Sequence, residues 1–412
     1  MKIFRHSSSL LVIVGGCVLL LVSFGIRHSS GLYLIPISDH IQTGREVFGF
    51  AIAIQFLMIG IGSPIFGAIA DKYGSSIAGL YGAIFFLIGL YMMSLVEGSG
   101  LLIVSQVVFG FGCAGCGTAV ILGAVGKAVT GKYQTLSLGI VMAAGSLGQF
   151  LIVPLSGFMI EATDWQKSIV YLCFISLIMI LFALTLTKSS FNSGKDDQAA
   201  QSLASVLNEA FVNKSYVLLT VGFFVCGFHV SFVATHLPAY LTDLSLPLWI
   251  GSWSLALIGL FNVFGTLYFG HLGDQNSKKN LLVILYTLRA FLFLVFIFLP
   301  KTEITVLIFA ALLGILWLST VPLTSGIISV IFGTKYMSML YGFTFLSHQV
   351  GSFMGSWFGG RFYDFYGSYD IMWWVCVVLG FVSALMHFPI TEKPIKASDQ
   401  EPIHKGNERS VK

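Results

Sequence analysis

Long apolar runs alternate with short polar breaks along this chain. Twelve runs lie near 10–36, 47–69, 77–96, 101–126, 135–160, 168–187, 216–241, 249–270, 281–299, 304–331, 337–360 and 371–390. Each holds about 20 residues or more, enough for an α-helix to cross a hydrocarbon core of about 30 Å. The pattern predicts an all-α integral membrane protein with twelve transmembrane helices. Between the sixth and seventh runs, 188–213 is rich in Ser, Asn, Lys, Asp and Gln, the composition of a solvated linker. Its end differs: Leu203, Val206, Leu207, Ala210 and Phe211 recur at helical spacing with Asn208 and Glu209 opposite, which predicts a short amphipathic helix on the membrane surface. The expected organisation is a six-helix bundle over 1–187, a cytoplasmic linker over 188–213, a second six-helix bundle over 214–392 and a disordered polar tail over 393–412.

The two halves echo each other. Phe24-Gly25-Ile26-Arg27-His28-Ser29 returns 202 residues later as Cys226-Gly227-Phe228-His229-Val230-Ser231, and Pro36 is answered by Pro238. Gly67 and Asp71 are answered 203 residues later by Gly270 and Asp274, and Gly139, Gly148 and Gly157 by Gly342, Gly351 and Gly360. Two pseudo-symmetric halves in parallel register are the plan of a two-bundle transporter, with its binding site between the bundles near mid-membrane.

Composition removes other classes. Of 412 residues, 56% are hydrophobic and 10% charged, with mean hydropathy +0.89, whereas a soluble domain carries about a quarter charged residues. Lys2 and Arg5 ahead of the apolar run from Leu10 to Val22 imitate a signal peptide, but that run belongs to the repeat and reads as an uncleaved first span. The net charge of +4 is spread over segment ends and forms no nucleic-acid patch. Sixteen of the 22 Lys and Arg fall on the side of the N-terminus and four on the other; Arg27 and Arg289 lie within spans. Both termini are therefore expected in the cytoplasm, in a multi-pass protein of the inner (plasma) membrane. All six cysteines sit in apolar segments as small core residues, and no metal or cofactor is expected. The Cys113-x-x-Cys116 pair within a glycine-rich stretch reads as a helix-packing surface, neither a redox centre nor a nucleotide loop. With no ATP-binding segment, the chain is expected to be no enzyme, and uphill movement of a solute must draw on an ion or exchange gradient.

Charge inside the membrane narrows the chemistry. All 18 acidic residues fall at segment ends, in loops or in the tail, leaving Arg27, Arg289, His229, His236 and His348 as the intramembrane ionisable groups. An arginine at mid-membrane costs about 2.5–3.5 kcal/mol on insertion scales, so Arg27 either lines a solute pathway or snorkels to the interface. A basic interior attracts anions, and the guanidinium fork suits a carboxylate. A histidine can take a proton near neutral pH, so each is either a coupling group or a hydrogen-bonded packing residue. Arg289 serves equally well as an interhelical tie or a substrate contact.

The loop Gly67-x-x-x-Asp71-Lys72-x-Gly74 and its partner Gly270-x-x-x-Asp274-x-x-x-Lys278-Lys279 resemble the cytoplasmic loop signature of the major facilitator superfamily, although Ser75, Ser76 and Gln275 stand where basic residues are usual. Phe24-x-x-Arg27, Gly44-Arg45-Glu46-x-Phe48, Gly145-x-x-Gly148-Gln149 through Pro154, and Phe345-x-x-His348-Gln349-x-Gly351 look like the bacterial branch related to monocarboxylate transporters and oxalate/formate antiporters. That resemblance implies alternating access, with spans 1, 2, 4, 5, 7, 8, 10 and 11 lining the cavity. It implies substrate contacts at Arg27, His229, Asn262, His348, Gln349 and, second-rank, Arg289, proton coupling at His229 or His348, and a gate at Gly67, Asp71, Lys72, Gly270, Asp274 and Lys278. Thr266 stands where characterised members carry a substrate-pairing arginine. The expectation is a monomeric secondary active transporter of a small, monocarboxylate-like organic anion, driven by a proton or a counter-anion. The alternative is an efflux transporter of amphipathic metabolites or drugs.

Overall fold

A computed structural model describes residues 7–129, 134–186, 203–333 and 337–394, and every regular element among them is helical. Among the described residues, eleven helical segments are long and apolar enough to cross a membrane: Ser9–His40, Arg45–Tyr73, Ser75–Ser94, Ser99–Ala128, Leu136–Ala162, Trp165–Ala183, Lys214–Asp243, Leu248–Gln275, Lys278–Phe298, Glu303–Phe332 and Asp370–His387. Met337–Tyr366, 30 residues long and more polar, lies between the last two and completes twelve, numbered here spans 1 to 12 in chain order. The polar end of span 1 stays in its own bundle, His40 meeting Glu97 and Trp165, whereas Asp364 and Arg361 near the end of span 11 reach Arg45 and Glu46 of the other. Most of the expected linker and nearly all of the expected tail lie outside the described residues. The predicted amphipathic helix is present at Leu203–Val212. Its Ala210 is buried, and Phe211 packs edge-on against Tyr216 and Phe343, so it docks on the second bundle.

Helix starts follow their capping residues. Asp164, Asn213, Ser277 and Thr302 each accept from a backbone N–H in the first turn of spans 6, 7, 9 and 10. Span 2 begins at Gly44 without a cap of its own, and the carboxylate of Asp364 in span 11 accepts from the N–H groups of Arg45 and Glu46 at 2.9 and 2.8 Å. One bundle thus caps a helix of the other.

The glycine echo becomes packing. Gly25 and Gly148 let spans 1 and 5 cross at backbone contact, and Gly227 and Gly351 do the same for spans 7 and 11. A methyl group at any of the four would collide with a main-chain carbonyl. The glycine-rich stretch of span 4 is likewise a contact surface: Gly110 meets span 2 at Gln55 and Met58, and Gly112 and Gly115 meet span 3 at Phe86 and Gly82. Cys113 and Cys116 are buried free thiols there.

Spans 1, 4 and 10 are interrupted. Span 1 changes to a 3-10 turn at Ser30–Tyr33, span 4 breaks after Gly115 and span 10 after Leu316. Breaks free backbone groups that hydrocarbon cannot satisfy. In span 1 the hydroxyls of Ser29 and Ser30 donate to the carbonyls of Ile26 and Arg27. In span 10 two side chains from other spans do the work, Arg289 and Asn262.

Candidate functional site between the bundles

The twelve spans put the amphipathic helix at one end of the molecule, the linker face, and the short connections after spans 1, 7 and 11 at the opposite face. At the opposite face the bundles are locked together. Arg45 donates through both terminal nitrogens to Asp243 at 2.6 Å, lies over the Tyr363 ring at 3.7 Å and donates to the Tyr369 hydroxyl at 3.1 Å. Burial pushes the Tyr369 phenol up, keeping it protonated. It donates in turn to Nδ1 of His236, whose Nε2 donates to the Ser356 carbonyl at 2.7 Å. Glu46 accepts from Arg361 and Trp357. Side chains at Gly31, Gly44, Gly49 or Gly360 would collide with the facing bundle.

The linker face is different. Among the described residues, no hydrogen bond or ion pair joins the bundles on the linker side of Asn262. Nothing lies within 4 Å of where a Cβ would stand at Gly67, Gly123, Gly139 or Gly342. The loop residues expected to form a gate make contacts within their own bundles. Asp71 accepts from Lys127 at 2.6 Å, Lys72 lies over Tyr73, Gly270 faces Pro322, and the stem of Lys278 covers Gly326. Asp274 is exposed. Among the described residues, the polar ties between the bundles thus lie at the opposite face and down to Asn262.

Arg27 stands just beyond the middle of span 1. Its guanidinium lies 4.7 Å from the Phe24 ring and 6.0 Å from Phe56 of span 2, with Cys113 of span 4 as a neighbour. One terminal nitrogen donates to Nε2 of His28 at 3.1 Å, and its Nε is buried without a partner. Among the described residues no carboxylate pairs with it. Phe24 also touches Gly145, and the next residue, Ser146, accepts from Asn262 of span 8 at 3.1 Å. Four residues on from Phe56, on the same helix face, Gly60 meets Gln349 of span 11. Two short paths thus connect Arg27 to Asn262 and to Gln349.

Asn262 is a three-way junction. Besides Ser146, its Oδ1 accepts from Thr266 in the same helix and from the N–H of Leu318 at the break of span 10, at 3.1 and 3.0 Å. Gln149 donates to the Leu255 carbonyl at 2.7 Å beside it. His348 is stacked on Phe345, tilted against Phe223, and donates from Nδ1 to Gln349 Oε1 at 3.2 Å. The Nε2 of Gln349 is buried and unpartnered.

Other expected site residues point elsewhere. Arg289 is fully buried inside the second bundle, donating to the carbonyls of Leu316 and Trp317 and, at 3.6 Å, to Cys226 Sγ. It neutralises the carboxyl end of the half-helix Glu303–Leu316, as a cation at that terminus should. His229 donates from Nε2 to the Cys376 carbonyl of span 12 at 2.9 Å and packs on Phe293 of span 9. It shares a repeat position with Arg27 but turns to the bracing helices. Trp317 is buried at the break itself. The sequence reading missed His28, whose place beside Arg27 was visible but whose orientation was not, and the whole closed face, whose partners lie 198 to 324 residues apart.

Comparison with known proteins agrees with this arrangement. The uncharacterised MFS-type transporter YcxA of Bacillus subtilis is 24% identical over 388 residues, spanning 89% of this chain and 91% of its own. Monocarboxylate transporter 12 of Mus musculus is 21% identical over 441 residues, spanning 95% and 89%. Sialic acid transporter NanX of Escherichia coli is 24% identical over 271 residues, spanning 64% of each chain. In structure, a nucleoside transporter, NupG, superposes with TM-score 0.77 at 12% identity, covering 92% of this chain and 98% of its own. A D-xylose–proton symporter gives 0.75 at 14%, covering 93% and 97%. The sequence pattern of the Major Facilitator Superfamily matches residues 15–356, and with this two-bundle fold the chain belongs to that family of membrane transporters.

Proposed function

We propose that the protein moves a small organic anion of the monocarboxylate kind by alternating access, with proton coupling or by exchange, and that Arg27 binds the carboxylate. The observation that carries this reading is the state of Arg27: a half-buried guanidinium with no carboxylate partner among the described residues and a single side-chain hydrogen bond, to His28, where Arg289 spends both terminal nitrogens on backbone carbonyls and a thiol. A desolvated cation without a counter-ion is costly, and a bound carboxylate relieves that cost through two parallel charge-assisted hydrogen bonds. Asn262, Gln349 and His348 contribute polar contacts on the facing bundle. His229 and Arg289, oriented into their own bundle, serve the helix framework instead. Relatives named for monocarboxylate and sialic acid transport favour a carboxylate substrate.

The excess of Lys and Arg on the linker side orients that face to the cytoplasm of a bacterial inner membrane. The arrangement is then the cytoplasm-open state of the cycle, with Arg45–Asp243 as the outer latch. A single copy contains the whole site. The aromatic group Phe50, Phe353 and Trp357 near the closed face favours the second reading, export of amphipathic compounds. Proteoliposome counterflow separates the two. Exchange of labelled pyruvate, lactate, formate or oxalate that disappears in Arg27→Ala supports the anion reading. Efflux of hydrophobic dyes without exchange of any of the four acids rejects it.

A further inference from the structure

We propose that His28, rather than a histidine of the second bundle, carries the coupled proton, by exchanging its hydrogen bond with Arg27 for one with the bound anion. This rests on the carboxylate reading of Arg27 and deepens it. A guanidinium can only donate, so at 3.1 Å from Arg27 the His28 Nε2 must be the acceptor, and the imidazole is neutral with its lone pair on the Arg27 guanidinium. The ring is 5% exposed and lies edge-on to Phe24 at 6.1 Å. The titratable groups around it are Arg27 on its own span and, from span 4, Cys113 beside Arg27; no carboxylate among the described residues pairs with either basic side chain.

The consequence is electrostatic. With the site empty, a proton on Nε2 would face the guanidinium, two positive charges at hydrogen-bond distance, and would displace the bond that now holds them. A carboxylate gripped by Arg27 removes that repulsion and offers Nε2–H an acceptor. Anion binding therefore favours the proton on Nε2, and the proton favours the anion. One proton from water on the open face forms the Nε2–H bond and leaves to water on the other face with the anion, while Arg27 keeps its charge throughout. A monoanion would travel with zero net charge. The histidines of spans 7 and 11 do not accept from Arg27: His229 donates to Cys376 inside the second bundle, where its Nδ1 is buried without a partner, His236 is held between Tyr369 and Ser356, and His348 is paired with Gln349.

The test measures protons directly. Purified protein in weakly buffered detergent with a pH dye receives pyruvate, lactate, formate or oxalate. At pH 7.5 the parent is expected to take up about one proton per protein with an acid that gives counterflow, and His28→Gln none. In vesicles, His28→Gln should lose about tenfold or more of pH-gradient-driven accumulation while counterflow, which needs no net proton movement, falls only a few-fold. Proton uptake by His28→Gln equal to the parent overturns the proposal and leaves the anion reading standing. If that variant does not fold, the parent decides alone: carboxylate affinity independent of pH between about 5.5 and 8.5 overturns it. No counterflow of any of the four acids by the parent removes the anion reading and this inference with it.

Discussion

Two arginines lie inside the membrane-spanning region, and they are used in opposite ways. Arg289 is sealed in the second bundle, with its terminal nitrogens committed to the carbonyls at the break of span 10 and to a thiol, and its Nε buried without a partner. Arg27 is held among spans 1, 2 and 4 of the first bundle, cushioned on two aromatic rings, with one bond to a neighbouring histidine and its Nε without a partner. Neither pairs with a carboxylate among the described residues. The cost of an intramembrane charge is met in one case by the dipole of a helix terminus and in the other by two aromatic rings and one histidine. An intramembrane arginine is a reason to look for function, and its partners decide whether the function is framework or binding.

The largest effect should come from Arg289→Met. It leaves two buried carbonyls bare at about 1–3 kcal/mol each, so the detergent-solubilised protein should melt markedly earlier, read as loss of the monodisperse peak after heating. Unchanged melting with lost substrate binding would reverse the roles of the two arginines. Arg27→Ala should do the converse, melting close to the parent while carboxylate affinity drops about 10–100-fold, the worth of a charge-assisted pair. Arg27→Lys should recover part of it, since an ammonium keeps the charge without the fork.

Asp243→Asn tests the setting in which Arg27 sits. Weakening a half-buried latch by about 1 kcal/mol should raise thiol labelling of a cysteine introduced at Ser252 on the closed face by about fivefold; no change would mean that Arg45 is not holding the bundles together there. Asp71→Asn should have the smallest effect, because its carboxylate is exposed and its partner Lys127 is in the same bundle. A large shift in labelling from this variant would restore the loop as a gate element.

Much of this was legible in the sequence. Twelve runs, their halves and the amphipathic helix came from periodicity, because a bilayer admits few ways to satisfy a backbone. The echo of Gly25 and Gly148 in Gly227 and Gly351 foretold two matching helix crossings, since only glycine permits backbone contact there. Side-chain direction was not legible. Arg27 and His229 share one repeat position, yet one lies against Phe56 of span 2 and the other donates to span 12, a difference of side-chain direction that a one-dimensional offset cannot carry. Arg289 could not be assigned because the break of span 10 has no marker such as proline at Leu316–Trp317, and without the break there are no free carbonyls to cap.

The sequence by itself determined the number of spans, the two-bundle plan and the basic, carboxylate-free interior, all of which follow from local hydrophobicity and repetition, while its loop motifs carried the resemblance to the family. The tertiary structure alone decided which basic groups are already satisfied, that His28 accepts from Arg27, and which face is closed. Those are matters of pairing between residues up to 324 positions apart, and hydrogen bonds act over about 3 Å in space whatever the separation along the chain.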